Sequence, residues 1–214
     1  MSKTALIAGS TGLIGRQLLA LLLNDSQYST VIAVSRKKLE ISNPKLLNIV
    51  SELNQLNSNS DQLKADDIFC CLGTTMKQAR SKEAFRAVDY DAPATLAKIS
   101  KTNGAKNFLL ISALGASRNS SIFYNQVKGE IEEFVQQVGF DSCHIFRPSL
   151  LLGSRHDTRS GEEAAKVFYK IVGGLVPKKF QAIESIKVAR AMLSFAKERK
   201  PGNFIHESRE LQSY

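Results

Sequence analysis

Residues 9–15 read GSTGLIG, which spaces Gly9, Gly12 and Gly15 as G-x-x-G-x-x-G. No other stretch narrows the choice of fold as much, because of what flanks it. TALIA (4–8) before it is a short aliphatic run, and LIGRQLLALLL (13–23) after it has helical periodicity. A glycine triplet between a strand and a helix has a mechanical reading. Gly9 makes the tight turn, Gly12 lets backbone approach a pyrophosphate, and Gly15 lets the helix pack close to the sheet. The helix N-terminus offers free N–H groups and a partial positive charge to an anion. Ser10, Thr11, Leu13 and Ile14 belong to the same expected cofactor cradle.

The rest of the chain repeats this strand-then-helix rhythm. TVIAVS (30–35), LLNIV (46–50), DIFCCLG (67–73), FLLIS (108–112) and DSCHIF (141–146) are strand candidates. Helices are expected at about 80–87, 90–103 and 121–138. Strands rich in Ile, Leu, Val and Phe without polar alternation are buried on both faces. The fold class is therefore α/β: a doubly wound parallel sheet of the Rossmann type with right-handed crossovers. After Arg147-Pro148 the pattern loosens into a polar loop, GSRHDTRSGEE. Helices near 162–172 and 184–199 and a short FIH strand (204–206) follow. The expected organisation is one domain, with a cofactor-binding core over 1–153 and a small substrate-side cap over 154–214. A unit of about 60 residues rarely has the core to fold alone.

The end of the second strand addresses the choice of dinucleotide. NAD sites of this kind place Asp or Glu there, about 20 residues past the glycines, on the ribose 2′-OH. Here the strand ends in Ser35-Arg36-Lys37-Lys38, and Arg36 stands 21 residues past Gly15. A guanidinium binds phosphate through two parallel N–H bonds and stacks on adenine. Arg36, with Lys37, therefore points to a 2′-phosphate and to NADP(H).

The segment YNQVK places Tyr124 and Lys128 four residues apart, on one helical face. A chain with five Tyr and many Lys makes such pairs by chance, so position decides. Ser112 closes the fifth strand 12 residues earlier, and ligands of doubly wound sheets bind at the carboxyl ends of strands. Hydride transfer to a carbonyl creates an alkoxide that needs a proton. Free Tyr ionises near pH 10, too high for a good base at neutral pH, and a neighbouring ammonium favours the phenolate. Tyr124 is the expected general acid/base, Lys128 tunes it and holds the cofactor, and Ser112 orients the substrate oxygen.

GSTGLIG, YNQVK with Ser112, and RPSLLLG (147–153) together resemble the extended and atypical short-chain dehydrogenase/reductase superfamily. CCLGTTM (70–76), RAVDYD (86–91), LLISALGAS (109–117) and YNQVKGEIE (124–132) narrow the resemblance. They are similar to the Tat-interacting-protein-like oxidoreductases, an NADPH-binding atypical branch. The resemblance spans nearly the whole chain and is weakest after Gly153. It implies that Cys71, Leu72, Gly73 and Thr74 meet the adenosine half of the cofactor, and that Glu52 and Leu53 border the adenine. It also implies that Arg147, Pro148 and Ser149 approach the nicotinamide. Related sequences often carry a second serine after the first; here Ala113 stands there, which leaves Ser112 alone.

Composition limits the remaining classes. The net charge is +9, but the basic residues are spread along the chain and no zinc-finger or RNP-like pattern occurs, so a nucleic-acid partner is not expected. No apolar run approaches the ~20 residues of a membrane span, and no metal-ligand spacing is present. Three Cys without a pairing pattern, and no signal-peptide pattern, point to a reduced, cytoplasmic protein. The expected partner is a small carbonyl or alcohol; a protein partner or homodimer is left open. His144, His156 and His206 stand apart, His144 as a core or edge residue of a strand. The loop with Arg155, His156, Asp157 and Arg159 reads equally as a substrate cover or a solvated loop. An alternative to the enzyme is an NADP(H)-sensing binding protein with little turnover.

Overall fold

A computed structural model describes residues 2–152 and 181–214. Gly153, the polar loop after it and the helix expected near 162–172 lie outside the described residues. The main sheet contains β1 (Lys3–Ala8), β2 (Tyr28–Ser35), β3 (Leu46–Val50), β4 (Asp67–Cys70), β5 (Asn107–Ile111), β6 (Ser142–Arg147) and β9 (Gly202–Glu207). Their order is β3-β2-β1-β4-β5-β6-β9, and every pairing is parallel. A two-stranded parallel ladder joins β7 (Leu151–Leu152) to β8 (Ile183–Glu184).

The strands alternate their side chains between two apolar layers, as a doubly covered parallel sheet requires. One face carries Ala5, Ile7, Val31, Phe69, Leu109, Ile111 and Phe146 against helices α1 (Leu13–Asn24) and α6 (Ser185–Glu198). The other carries Leu6, Ala8, Ile32, Ile68, Phe108, Leu110 and Ile145 against α4 (Ala92–Thr102) and α5 (Phe123–Gln137). Ile14, Leu18 and Leu22 form the buried stripe of α1, and Ala189, Ala191 and Ala196 keep the buried face of α6 slim. Truncating a buried Leu such as Leu18 or Leu22 to Ala would cost about 2–5 kcal/mol.

Two details differ from the sequence expectation. After a short α2 (Met76–Ala79), the helices expected at 80–87 and 90–103 form one run, α3 (Lys82–Arg86), a π turn (Ala87–Asp91) and α4. The last helix and strand, expected in a cap, join the main layers: α6 packs on α1, and β9 pairs with β6. Strand β9 is largely exposed, so its sequence alone does not reveal that a sheet edge accepts it.

Candidate functional site

The strand order reverses between β1 and β4, and both end beside the glycine loop. Gly9 has φ +85°, the left-handed region that glycine tolerates, and its carbonyl accepts the Gly12 N–H at 3.0 Å. A Cβ on Gly9 would lie 2.5 Å from the Cys71 carbonyl oxygen, and one on Gly15 would overlap the Gly9 carbonyl. The loop, the start of α1 and the end of β4 are thus held at backbone contact. Thr11 and Gly12 are exposed; Leu13 and Ile14 turn inward to the core. The Ser10 hydroxyl is buried and has no hydrogen-bond partner among the described residues. An orphan hydroxyl, a glycine cradle and an uncapped helix N-terminus fit the phosphates of a dinucleotide.

Strand β2 ends at Ser35, and the loop that follows is braced. Asn48 on β3 donates to the Ala33 carbonyl (2.9 Å) and the Ser35 hydroxyl (2.8 Å), and accepts the Leu39 N–H (2.8 Å). Arg36, Lys37 and Lys38 emerge exposed from this brace and form no ion pair with a described residue. No carboxylate stands at the end of β2. Glu52 is exposed after β3, and Leu53 packs partly into the α4/α5 layer.

The Cys71–Thr74 loop continues β4. The Cys71 N–H bonds to the Ala8 carbonyl at 2.8 Å, Leu72 is buried, and Gly73 is exposed. The Thr74 N–H donates to Asp89 Oδ2 at 2.8 Å. Asp89 lies in the π turn, and its Oδ1 is 2.7 Å from Lys128 Nζ. Both side chains are buried. Burial alone pulls the Lys128 amine down, but the Asp89 charge, aided by Tyr124 and Cys70, outweighs it and holds the ammonium above its ordinary range. A Cβ on Gly73 would lie 3.6 Å from Lys128 Nζ, so the ammonium sits directly under the bare backbone of this loop. Tyr124, half-buried in the first turn of α5, packs its ring 5.4 Å from that of Phe85. The structure therefore brings Tyr124, Lys128 and Gly73 together.

Ser112 is a different matter. Its N–H bonds to the Phe146 carbonyl (2.8 Å), and the Leu114 N–H to the Pro148 carbonyl (3.0 Å), so the β5–β6 ladder runs on through this point. In an extended chain successive side chains face opposite ways. Ser112 continues the Phe108–Leu110 face, is buried, and donates its hydroxyl to Glu132 Oε1. Glu132 lies two helical turns beyond Tyr124, about 12 Å along α5. The substrate-orienting role expected of Ser112 does not match this placement, because its hydroxyl is committed to a buried carboxylate. The opposite-facing position carries Ala113.

Arg147 completes that network. Its Nε and Nη2 grip Glu132 at 3.0 and 2.5 Å, and Nη1 reaches Glu207 at 3.2 Å. The guanidinium expected near the nicotinamide is held in an ion pair between α5, β6 and β9. Pro148 is buried, and Ser149 hydrogen-bonds the Gln181 carbonyl and the Ser208 hydroxyl. Sequence reasoning missed Asp89, Glu132 and Asn48. Asp89 sits within RAVDYD, yet no spacing rule ties it to a lysine 39 positions away.

His144 and His206, apart in sequence, meet in space. Their rings stack, and His144 Nδ1 lies 2.9 Å from His206 Nε2. The three cysteines are free thiols, and burial pushes Cys70 and Cys143 up to about 12. Among the described residues no cluster of three His, Cys, Asp or Glu is arranged to hold a metal. No helix there is long and apolar enough to cross a membrane.

Comparison with known proteins agrees with this fold. The profile of the family described as NAD(P)H-binding matches residues 9–198. Protein HTATIP2 of Rattus norvegicus is 34% identical over 200 residues, covering 90% of this chain and 81% of that protein. A mitochondrial FMP52 protein of Lodderomyces elongisporus is 32% identical over 217 residues, covering 95% and 91%. The structure of MoeE5 in complex with UDP-glucose and NAD superposes with a TM-score of 0.74 at 19% identity, over 94% of this chain and 74% of that one. The fungal relatives overturn one expectation. Several are named mitochondrial, which conflicts with a cytoplasmic assignment. Unpaired thiols are compatible with any reducing compartment and do not distinguish cytosol from organelle. The chain thus belongs to the NAD(P)H-binding family, as an atypical short-chain dehydrogenase/reductase related to HTATIP2.

Proposed function

We propose that the protein is an NADP(H)-dependent oxidoreductase that interconverts a small carbonyl and its alcohol. One observation carries the reading: the buried Lys128 ammonium lies one turn from Tyr124 and directly beneath exposed Gly73, at the carboxyl end of β4. When bound, the nicotinamide supplies or accepts the hydride. Gly9, Ser10, Thr11, Gly12 and Gly15 bind the pyrophosphate with the first turn of α1, beside Leu13 and Ile14. Arg36 and Lys37 take the 2′-phosphate, and Glu52, Leu53, Cys71, Leu72 and Thr74 line the adenosine side. Tyr124 donates its phenolic proton to the oxygen that becomes the alcohol, and takes it back in the reverse direction. Lys128 stabilises the phenolate and holds ribose hydroxyls. General acid/base help of this type contributes roughly 10²–10⁴ in rate.

A second reading is favoured by the placement of Ser112. With its hydroxyl committed to Glu132 and Ala113 at the next position, substrate orientation loses an expected donor. An NADP(H)-sensing binding protein with little turnover needs no such donor.

Calorimetry with NADPH and with NADH tests the cofactor assignment; the chain has no Trp, so heat is the cleaner signal. NADPH is expected to bind at least about tenfold more tightly, and Arg36→Ala to remove most of that difference, as for a lost charge-assisted hydrogen bond. Equal affinities in the parent chain refute NADP(H) preference. A panel of aldehydes and ketones, with Tyr124→Phe as control, separates the two readings. Turnover that is lost in Tyr124→Phe while NADPH affinity is kept supports the enzyme. No turnover across the panel moves the assignment to the sensor.

A further inference from the structure

We propose that the buried His144–His206 pair carries one proton more than two neutral imidazoles, and that this proton latches the turn α7 (Ser208–Leu211) to the edge of the sheet. The inference stands apart from the proposed reaction and rests on a count of hydrogens. Five groups form one line: the Lys200 carbonyl, the Ser142 hydroxyl, His144, His206 and the Glu210 carboxylate. Ser142 Oγ is 2.7 Å from the Lys200 oxygen and 2.9 Å from His144 Nε2. His144 Nδ1 is 2.9 Å from His206 Nε2, and His206 Nδ1 is 3.1 and 3.2 Å from the two Glu210 oxygens. Each of the four links in this line is of hydrogen-bond length and needs a hydrogen between its atoms. Both ends of the line are acceptors only. The hydroxyl and two neutral imidazoles supply one hydrogen each, three in all. Without a fourth proton, one link sets two lone pairs face to face.

The surroundings decide which ring carries the charge. Burial, then His206 and Lys200, holds His144 toward its neutral form. His206 has the Glu210 carboxylate beside it, and the Phe195 ring of α6 stacks on it at 3.8 Å. An ion pair and an aromatic face both favour a cation there. The other charged groups on the neighbouring elements are Lys200 before β9, and Lys187 and Glu198 on α6. Lys187 donates to the Gln212 carbonyl at 2.6 Å, and Glu198 acts on Tyr214, which packs on Phe195. Arg147 and Glu207 pair with each other one step along the ladder from Phe146 and His206, so they face the other side of the sheet. The turn that Glu210 belongs to is tied in elsewhere. Leu211 is fully buried, the Ser208 hydroxyl donates to Ser149 Oγ at 2.9 Å, and Gln212 Nε2 donates to the Ala182 carbonyl at 3.1 Å. The turn thereby braces the residues that lead into β7 and β8. Loss of the proton sets the His206 Nδ1 lone pair against the Glu210 carboxylate and loosens this brace.

Nitrogen NMR of the full chain, labelled with nitrogen-15 in histidine, reads the proton directly. The chain has three histidines, assigned by replacing them one at a time. At neutral pH, His206 is expected to show both nitrogens protonated, and His144 only one. Two neutral rings overturn the proposal, including the case in which Glu210 carries the fourth proton. Glu210→Gln is the discriminating variant, because an amide N–H can supply the fourth hydrogen to a neutral His206. The Glu210 side chain is 46% exposed, so the change leaves the core intact. The imidazolium signature is expected to vanish in this variant, and its persistence overturns Glu210 as the partner of the charge. Amide exchange over residues 208–214, corrected for the ordinary pH dependence of exchange, reads the latch. From neutral to about pH 9 the parent is expected to lose at least about tenfold in protection, as for a charge-assisted hydrogen bond, and Glu210→Gln less than about twofold. Equal behaviour of the two overturns the latch. Glu210→Ala, which offers neither acceptor nor donor, is expected to lose about tenfold in protection already at neutral pH. Parental protection in that variant overturns the latch as well.

Discussion

The two ends of the parallel sheet surround their buried polar groups differently. At the amino ends, Asp67 accepts from Lys3 Nζ (2.8 Å), the Tyr28 hydroxyl (2.7 Å) and Asn107 Nδ2 (3.1 Å). Asn107 also donates to the Ala196 carbonyl at 3.1 Å, which ties α6 to the cluster. Burial and the Asp67 charge drive the Tyr28 hydroxyl far above its usual range, so it remains a donor. At the carboxyl ends, the Ser10 hydroxyl is buried without a hydrogen-bond partner among the described residues, while Asp89 Oδ1 is paired with the Lys128 ammonium at 2.7 Å. An unsatisfied buried polar atom costs about 1–3 kcal/mol. The Asp67 cluster satisfies its own groups and adds stability, whereas the Ser10 hydroxyl, inside the glycine loop, is available to a ligand. The difference supports the proposed site at the carboxyl ends, where doubly wound sheets bind ligands.

The strongest way to break this comparison is Asp67→Ala. It strands Lys3 without a counter-charge in a buried site and leaves Asn107 and Tyr28 short of an acceptor. Chemical denaturation should show a loss of about 3–5 kcal/mol. Where the variant remains folded, its NADPH affinity should stay within about twofold of the parent. A large affinity loss with intact stability would invert the roles of the two ends.

Next in size is an acid-dependent loss of stability between the ends. Ser142 Oγ donates to the Lys200 carbonyl (2.7 Å) and lies 2.9 Å from His144 Nε2, and His144 meets His206, which faces Glu210 at 3.1 Å. Burial, then His206 and Lys200, depress His144 from 6.5 to about 4. A histidine held neutral in the fold lets the unfolded chain bind the extra proton. Stability is therefore full above pH ~6.5 and falls as the pH drops toward ~4, by up to about 3 kcal/mol. His144→Phe, between Phe195 and Phe204, should flatten that slope in unfolding experiments across this window. An identical slope in the variant would assign the acid sensitivity to other groups.

The smallest effect sharpens the contrast from outside. Arg118 and Glu133 pair at 3.0 Å on an exposed face. Exposed pairs contribute about 0–1 kcal/mol, so Arg118→Ala should change stability by less than about 0.5 kcal/mol and leave NADPH binding alone. A larger change would mean that short distance, rather than burial, sets the value of an ion pair here.

Much of the fold was legible because strands buried on both faces read as unbroken aliphatic runs, and β1, β2, β4, β5 and β6 all lie where such runs occur. The glycine loop was legible because its constraint is local: three glycines meet one turn. Tyr124 and Lys128 were legible because four residues along a helix are neighbours by geometry alone. The setting of Ser112 was not legible, because its place at a strand end is local but the direction of its hydroxyl depends on Glu132, 20 residues on. The two histidines were read as isolated because only the parallel pairing of β6 with β9, with Phe146 opposite His206, brings them together.

By itself the sequence determined the parallel doubly wound sheet, the glycine loop between strand and helix, the basic end of β2 and the Tyr124–Lys128 face. Each follows from backbone sterics or from periodicity within a few residues. Only the tertiary structure decided that Lys128 stays charged, that Ser112 and Arg147 clamp Glu132, and that β9 closes the sheet. Those outcomes depend on which groups exclude water from one another, and Coulomb and desolvation terms act between chain segments that no local pattern connects.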